Sequence, residues 1–179
     1  DHHGAQPGTY LASPLAWFAE GISNLDPRPL FHFGHGLSYT TFELSDAQPS
    51  SPTMPVDGSV DYFVTVENTG PRRGSETVQL YLSDPTAEVV RPVKQLIGFQ
   101  KVDLEPGERV RVTFEVHADR TSFMGLDLER IVEPGVVELS AGRSSNDRLP
   151  ASEVQLVGPR RIVGEGRVLS TPTRLEPLA

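Results

Sequence analysis

The stretch Val60-Asp61-Tyr62-Phe63-Val64-Thr65-Val66-Glu67, stopped by Asn68-Thr69-Gly70-Pro71, decides the fold class. Val60, Tyr62, Val64 and Val66 fall on one side of a period of two, and Asp61, Phe63, Thr65 and Glu67 on the other, as a half-buried strand requires. Asn, Gly and Pro then supply the chemistry of a turn. Further along, Val78, Leu80 and Leu82 alternate with Gln79 and Tyr81 until Ser83-Asp84-Pro85. Strands are read at Leu96 to Val102 and at Val110 to Val116, on either side of the turn Leu104-Glu105-Pro106-Gly107-Glu108. In the second of these, Val110, Val112, Phe114 and Val116 share one face and Arg111, Thr113 and Glu115 the other. Val137, Leu139 and Ala141 alternate after Glu133-Pro134-Gly135, and Val154 and Leu156 follow a polar stretch. Strands without an intervening helical period, broken by Gly and Pro, predict two antiparallel sheets packed face to face in an all-β sandwich.

The flanks read differently. Residues 1–38 are rich in Gly, Pro, Asp and Asn, carry one apolar run, Leu15-Ala16-Trp17-Phe18, and read as a linker that packs onto something. The sandwich is expected over residues 39–158, and residues 159–179 form a C-terminal extension that either adds an edge strand or trails along the surface. A length of 179 residues suits one domain with extensions. The first residue is Asp1 rather than methionine, which raises the expectation of a missing N-terminal partner. An apolar content of 37% and a mean hydropathy of −0.28 are those of soluble globular chains. No apolar run approaches the roughly 18 to 20 residues needed to cross a bilayer, so no membrane partner is expected, and the cytoplasm is favoured over secretion. A net charge of −8 with scattered Lys and Arg argues against a nucleic-acid partner. Without cysteine there is no immunoglobulin-type disulfide, thiolate zinc site or cysteine nucleophile.

Candidate chemistry is sparse. His2 and His3 are adjacent and His32 and His35 lie three apart, but Phe31-His32-Phe33-Gly34-His35-Gly36 suits a tight, packed turn better than a helix presenting two imidazoles. No metal or other cofactor is expected. The acidic residues fall mostly at solvent-facing strand positions or in turns, and none is singled out as a catalytic pair. Ser38, Ser122 and Ser140 lack the Gly-x-Ser-x-Gly elbow, and neither Gly34-His35-Gly36 nor Gly164-Glu165-Gly166 follows a strand and opens a helix as phosphate cradling requires. Phe63 and Tyr81 are the outward aromatics on clean strands, too few for an independent sugar platform.

At Pro29-Leu30-Phe31-His32-Phe33-Gly34-His35-Gly36-Leu37-Ser38-Tyr39-Thr40-Thr41-Phe42 the chain resembles the entry into the C-terminal fibronectin type III-like domain of glycoside hydrolase family 3 enzymes. The resemblance continues through Val64 to Gly70, then Gly74, Glu76 and Val78 to Leu82, then Arg91-Pro92-Val93-Lys94-Gln95-Leu96-Ile97-Gly98-Phe99, and then Glu133 to Gly135 with Gly142 to Ser145. His32 stands where the family often has proline. Gln6 to Leu11, Ser23 to Pro27 and Val163 to Leu169 are similar to the β-xylosidase-type branch.

The resemblance implies a fibronectin type III-like (immunoglobulin-like) antiparallel β-sandwich and a parent β-glycosidase hydrolysing O-glycosyl bonds. In that family the aspartate nucleophile comes from an N-terminal barrel and the acid/base residue usually from an α/β domain. No segment here matches either, so the chain is expected to be an accessory, stabilising domain without activity of its own. The implied partners are the parent's barrel and α/β domains, and a homodimer through the parent is left open. Docking is expected through Phe31, Phe33, His35 and Tyr39 of the aromatic turn, and through Arg91 and Lys94 on the loop from Ser83 to Lys94. The competing reading is a free-standing carbohydrate-binding or adhesion module.

Overall fold

The computed structural model describes residues 29–178. The apolar run Leu15 to Phe18, together with His2 and His3, lies outside the described residues.

Twelve strands run through the described residues in chain order: β1 Phe42–Pro49, β2 Thr53–Pro55, β3 Ser59–Asn68, β4 Gly74–Ser83, β5 Gln95–Leu104, β6 Arg109–His117, β7 Phe123–Met124, β8 Arg130–Val132, β9 Gly135–Gly142, β10 Ser152–Val157, β11 Arg161–Ile162 and β12 Thr173–Leu178. A 3-10 turn at Ala118–Thr121 separates β6 from β7. A four-stranded sheet in the order β1-β3-β6-β12 faces a five-stranded sheet in the order β2-β10-β9-β4-β5, and β11-β8-β7 form a small third sheet. The chain is thus an all-β sandwich, with antiparallel pairing everywhere except the parallel β10–β2 pair. No helix among the described residues is long and apolar enough to cross a membrane.

Alternation builds the core. Tyr62, Val64 and Val66 of β3, Val112, Phe114 and Val116 of β6, Val78 and Leu80 of β4 and Ala141 of β9 are fully buried and meet between the sheets. Each such side chain contributes roughly 1.5 to 3 kcal/mol relative to exposure.

The outward positions of the four-stranded sheet form a charged ladder. Arg174 of β12 reaches Asp61 of β3 at 2.6 Å and Glu115 of β6 at 3.5 Å, Arg111 reaches Glu176 at 3.5 Å, and Arg109 reaches Glu67 at 3.5 Å. The Arg111 guanidinium lies 6.0 Å from the centre of the Phe63 ring. This sheet therefore faces water with oppositely charged neighbours across its strands.

The tail takes the edge-strand alternative, since β12 pairs with β6 from Thr173↔Phe114 to Leu178↔Arg109. On the way it is clamped by Asp119, whose side chain is only 5% exposed. The Asp119 carboxylate accepts hydrogen bonds from Arg161 Nη2 and, at 2.8 Å, from the Val168 amide. Burial pushes its pKa up, and Arg161, the Val168 amide and His117 more than reverse that, leaving it below the usual carboxylate range. Asp119 is thus an exception among acidic residues expected mostly in solvent-facing positions or turns, because the crossing tail covers it.

Asn68 is the second buried polar hub. Its Nδ2 donates to the carbonyls of Arg72 and Leu104, both at 2.8 Å, while Oδ1 accepts from Thr40 Oγ1 at 2.9 Å and from the Gly70 amide at 3.1 Å. Its backbone bonds to Glu108 and Gly107. One side chain thereby ties the lead-in to β1, the β3–β4 turn and the β5–β6 turn together with every donor and acceptor satisfied.

Candidate docking surface

The outward row of β4 is unlike that of a water-facing sheet. Gln79 and Tyr81 point away from the core, as their place in the alternation dictates, yet are only 5% and 1% exposed. The expectation of an outward, exposed Tyr81 is therefore corrected: the hairpin between β9 and β10 and the aromatic turn cover it. Tyr81 donates its hydroxyl to Gln79 Oε1 at 2.5 Å, and Gln79 Nε2 donates to the carbonyls of Arg143 at 2.7 Å and Gly34 at 3.0 Å. The Ser145 amide donates to the Phe33 carbonyl at 2.9 Å. Polar groups of the sheet thus hold the backbone of the aromatic turn.

Within the turn, the His35 amide donates to the His32 carbonyl at 2.9 Å and the His35 ring stacks on Phe31 at 4.9 Å between centroids. Gly34 has φ of +80°, and a Cβ there would lie 2.0 Å from Gln79 Oε1, so both handedness and space demand glycine. With its backbone bound, the turn presents its side chains outward. Phe31 is 63% exposed, Phe33 45%, Leu37 92% and Tyr39 94%. The expected turn is present, but its aromatics do not pack into the sandwich. Phe99, on β5 directly opposite Gln79, is exposed as well, at 65%.

Lys94 joins this face. It directly precedes Gln95, the partner of Leu82, and so falls in the outward row with Ser83 and Glu138, themselves cross-strand partners. Arg91 goes elsewhere. Its guanidinium lies 4.8 Å from the centre of the Phe123 ring and Nη2 donates to the Thr121 carbonyl at 3.4 Å. Burial holds its pKa below the usual value and raises that of Asp84 nearby. Glu133 Oε1 accepts from the Glu88 amide, and Glu88 Oε1 from the Leu126 amide, so the loop between β4 and β5 is fastened to the β7–β8 hairpin with Arg91 inside the joint. The structure brings Phe31, Phe33, His35, Tyr39 and Lys94 to one flank of the five-stranded sheet and sets Arg91 behind it. Sequence reasoning missed Phe99, Gln79 and Arg148, although the alternation of β4 and β5 marks the first two as outward.

Residues 76–145 match the model of the fibronectin type III-like domain. A periplasmic β-glucosidase of Salmonella typhimurium is 48% identical over 117 residues, covering 65% of this chain and 15% of that protein. This is a fibronectin type III-like domain of the glycoside hydrolase family 3 kind. A putative β-xylosidase of Formosa agariphila is 38% identical to it over 130 residues, 73% of this chain and 17% of the relative. Among solved structures, the β-glucosidase of Listeria innocua in complex with glucose has a TM-score of 0.69 at 38% identity over 76% of this chain and 19% of its own. A β-glucosidase from Erythrobacter marinus gives a TM-score of 0.76 at 38% identity over 86% and 20%. The fibronectin type III-like domain thus spans about a fifth or less of the length of these relatives.

Proposed function

We propose that this domain is the accessory, stabilising part of a β-glycosidase, and that it docks on the parent's α/β domain through the flank carrying Phe31, Phe33, Leu37, Tyr39 and Phe99. The observation that carries the reading is the aromatic turn, whose backbone is fixed to the sheet while Leu37 and Tyr39 are almost fully exposed. Several exposed aromatic and apolar side chains carried by one anchored turn and the strand beside its anchor are the kind of surface that marks an interaction site. The charged ladder on the opposite sheet marks the side that stays in water. Arg91 acts within this scheme as an internal brace for the loop that presents Lys94.

Hydrolysis of aryl β-glucoside and aryl β-xyloside by this chain and by the longer parent protein tests the accessory role. Activity confined to the parent is expected and names the sugar; turnover by the chain alone overturns the reading. Docking is tested by Leu37→Ser with Tyr39→Ser. The pair is expected to lower the unfolding midpoint of the parent by several degrees and to leave that of the isolated chain within about 1 °C, since neither side chain is buried here. Equal effects in both would refute docking through this turn.

A further inference from the structure

Resting on the docking reading, a second feature of the same flank specifies what the opposing surface supplies. Arg148 closes the β9–β10 hairpin and folds back along the outer face of the sheet, donating from Nε to the Ser145 carbonyl at 2.8 Å and from Nη1 to Ser140 Oγ at 3.0 Å. Ser140 is the cross-strand partner of Tyr81, two residues along from the Ser83–Glu138 pair beside which Lys94 lies. Both cations are partly buried, and both feel Glu138. Neither has a carboxylate within 4 Å among the described residues, whereas Arg73, Arg143, Arg160, Arg161 and Arg174 each do.

Burial explains why this matters. Each charge loses part of its hydration to the hairpin and loop that cover it, and Arg148 further repels Lys94, so the pKa of Lys94 falls. Two partly desolvated cations sharing one carboxylate leave about one positive charge uncompensated on this flank. In a chain of net charge −8 this is a local inversion of sign. Among the described residues the Arg148 guanidinium is engaged through Nε and Nη1 and not through Nη2, and the Lys94 ammonium has no hydrogen bond.

We propose that Lys94 and Arg148 form a receptor for a carboxylate side chain, an Asp or Glu of the parent's neighbouring domain, seated between the apolar contacts of the aromatic turn and the β4–β5 loop. The apolar rim keeps water from the pair and the carboxylate fixes the register in which the two domains meet. Because both cations are already partly desolvated in this domain, a carboxylate that reaches them meets a less screened attraction than on an open surface.

Lys94 is the position to vary, because removing Arg148 would also release Ser140 and Ser145. Lys94→Glu in the parent protein is expected to lower its unfolding midpoint by several degrees at low salt, with the difference shrinking in about 1 M salt. Lys94→Arg is expected to retain the parental midpoint, and in the isolated 179-residue chain Lys94→Glu is expected to shift the midpoint by no more than about 1 °C. An equal loss in the isolated chain would show that the charge serves Glu138 or a carboxylate of the chain's own N-terminal segment, and would overturn the proposal. No loss in either protein would also overturn it. In both of those cases the Leu37→Ser and Tyr39→Ser pair still reports on docking, so the two readings fail separately.

Discussion

Replacing Asn68 with Asp changes one atom's identity and reverses the hydrogen-bonding capacity of a fully buried group. The two bonds from Nδ2 to the carbonyls of Arg72 and Leu104 disappear, and a carboxylate oxygen is set 2.8 Å from each of two carbonyl oxygens. Each stranded buried acceptor costs about 1 to 3 kcal/mol, so a loss of roughly 4 kcal/mol is expected at neutral pH. For a chain of this size that corresponds to a fall in melting temperature of about 8 to 16 °C. The new carboxyl group is buried beside carbonyls, so its folded pKa lies above its unfolded value near ~3.9. Such a group favours the folded state fully below the unfolded pKa and loses that contribution as pH rises through the folded pKa. The gap between variant and parent must therefore narrow as pH falls from about 7 to about 4. Thermal unfolding followed by circular dichroism at a series of pH values reads both effects. A melting temperature within about 3 °C of the parent at pH 7, or a gap that widens in acid, would refute the hub described for Asn68.

Asp119→Asn leaves Arg161 partly buried without its counterion and is expected to cost roughly 2 to 3 kcal/mol, the lower part of the usual range because Arg161 is 28% exposed. The folded pKa of Asp119 is depressed, so its contribution is present above the unfolded pKa and lost as pH falls through the folded one. Denaturant midpoints of parent and variant should accordingly differ at pH 7 and draw together as pH falls below the unfolded carboxylate value of about 3.9. Gly34→Ala places a methyl group against Gln79 at a positive φ and is expected to detach the turn while leaving the core folded. Faster proteolytic nicking between residues 29 and 41, with a melting temperature changed by no more than a few degrees, is the expected result. Unaltered proteolysis would refute the anchoring.

The inward faces were legible wherever a strand is buried on one side and regular. The run Val60 to Val66 and the run Val110 to Val116 show their faces directly, because the alternation of side chains across a strand is fixed by the backbone. β1 was not read, because a bulge between Ser45 and Gln48, with Asp46 at φ of +51°, shifts its period, and only Phe42 is fully in the core. β12 is ambiguous in the sequence for another reason. Arg174, Leu175 and Glu176 are all exposed, so pairing with β6 rather than burial makes the strand, and pairing partners about 60 residues apart leave no local trace. For Tyr81 the alternation shows the face and not the environment, since cover supplied by residues 33–34 and 143–148 is a tertiary fact. Of the docking flank, the aromatic turn was visible in the chain; its outward orientation, Phe99 beside it and Arg148 above it were not.

The ladder of Asp61, Glu115, Arg174, Arg111 and Glu176 makes the four-stranded sheet a usable handle. Because its outward side chains pair across the strands among the described residues, a fluorophore or an immobilisation tether attached there would sit on the side remote from the aromatic turn. Paired with a second label across the proposed junction, such a dye would report domain separation as a change in energy transfer, turning the charged sheet into the reference surface for watching the flank open and close.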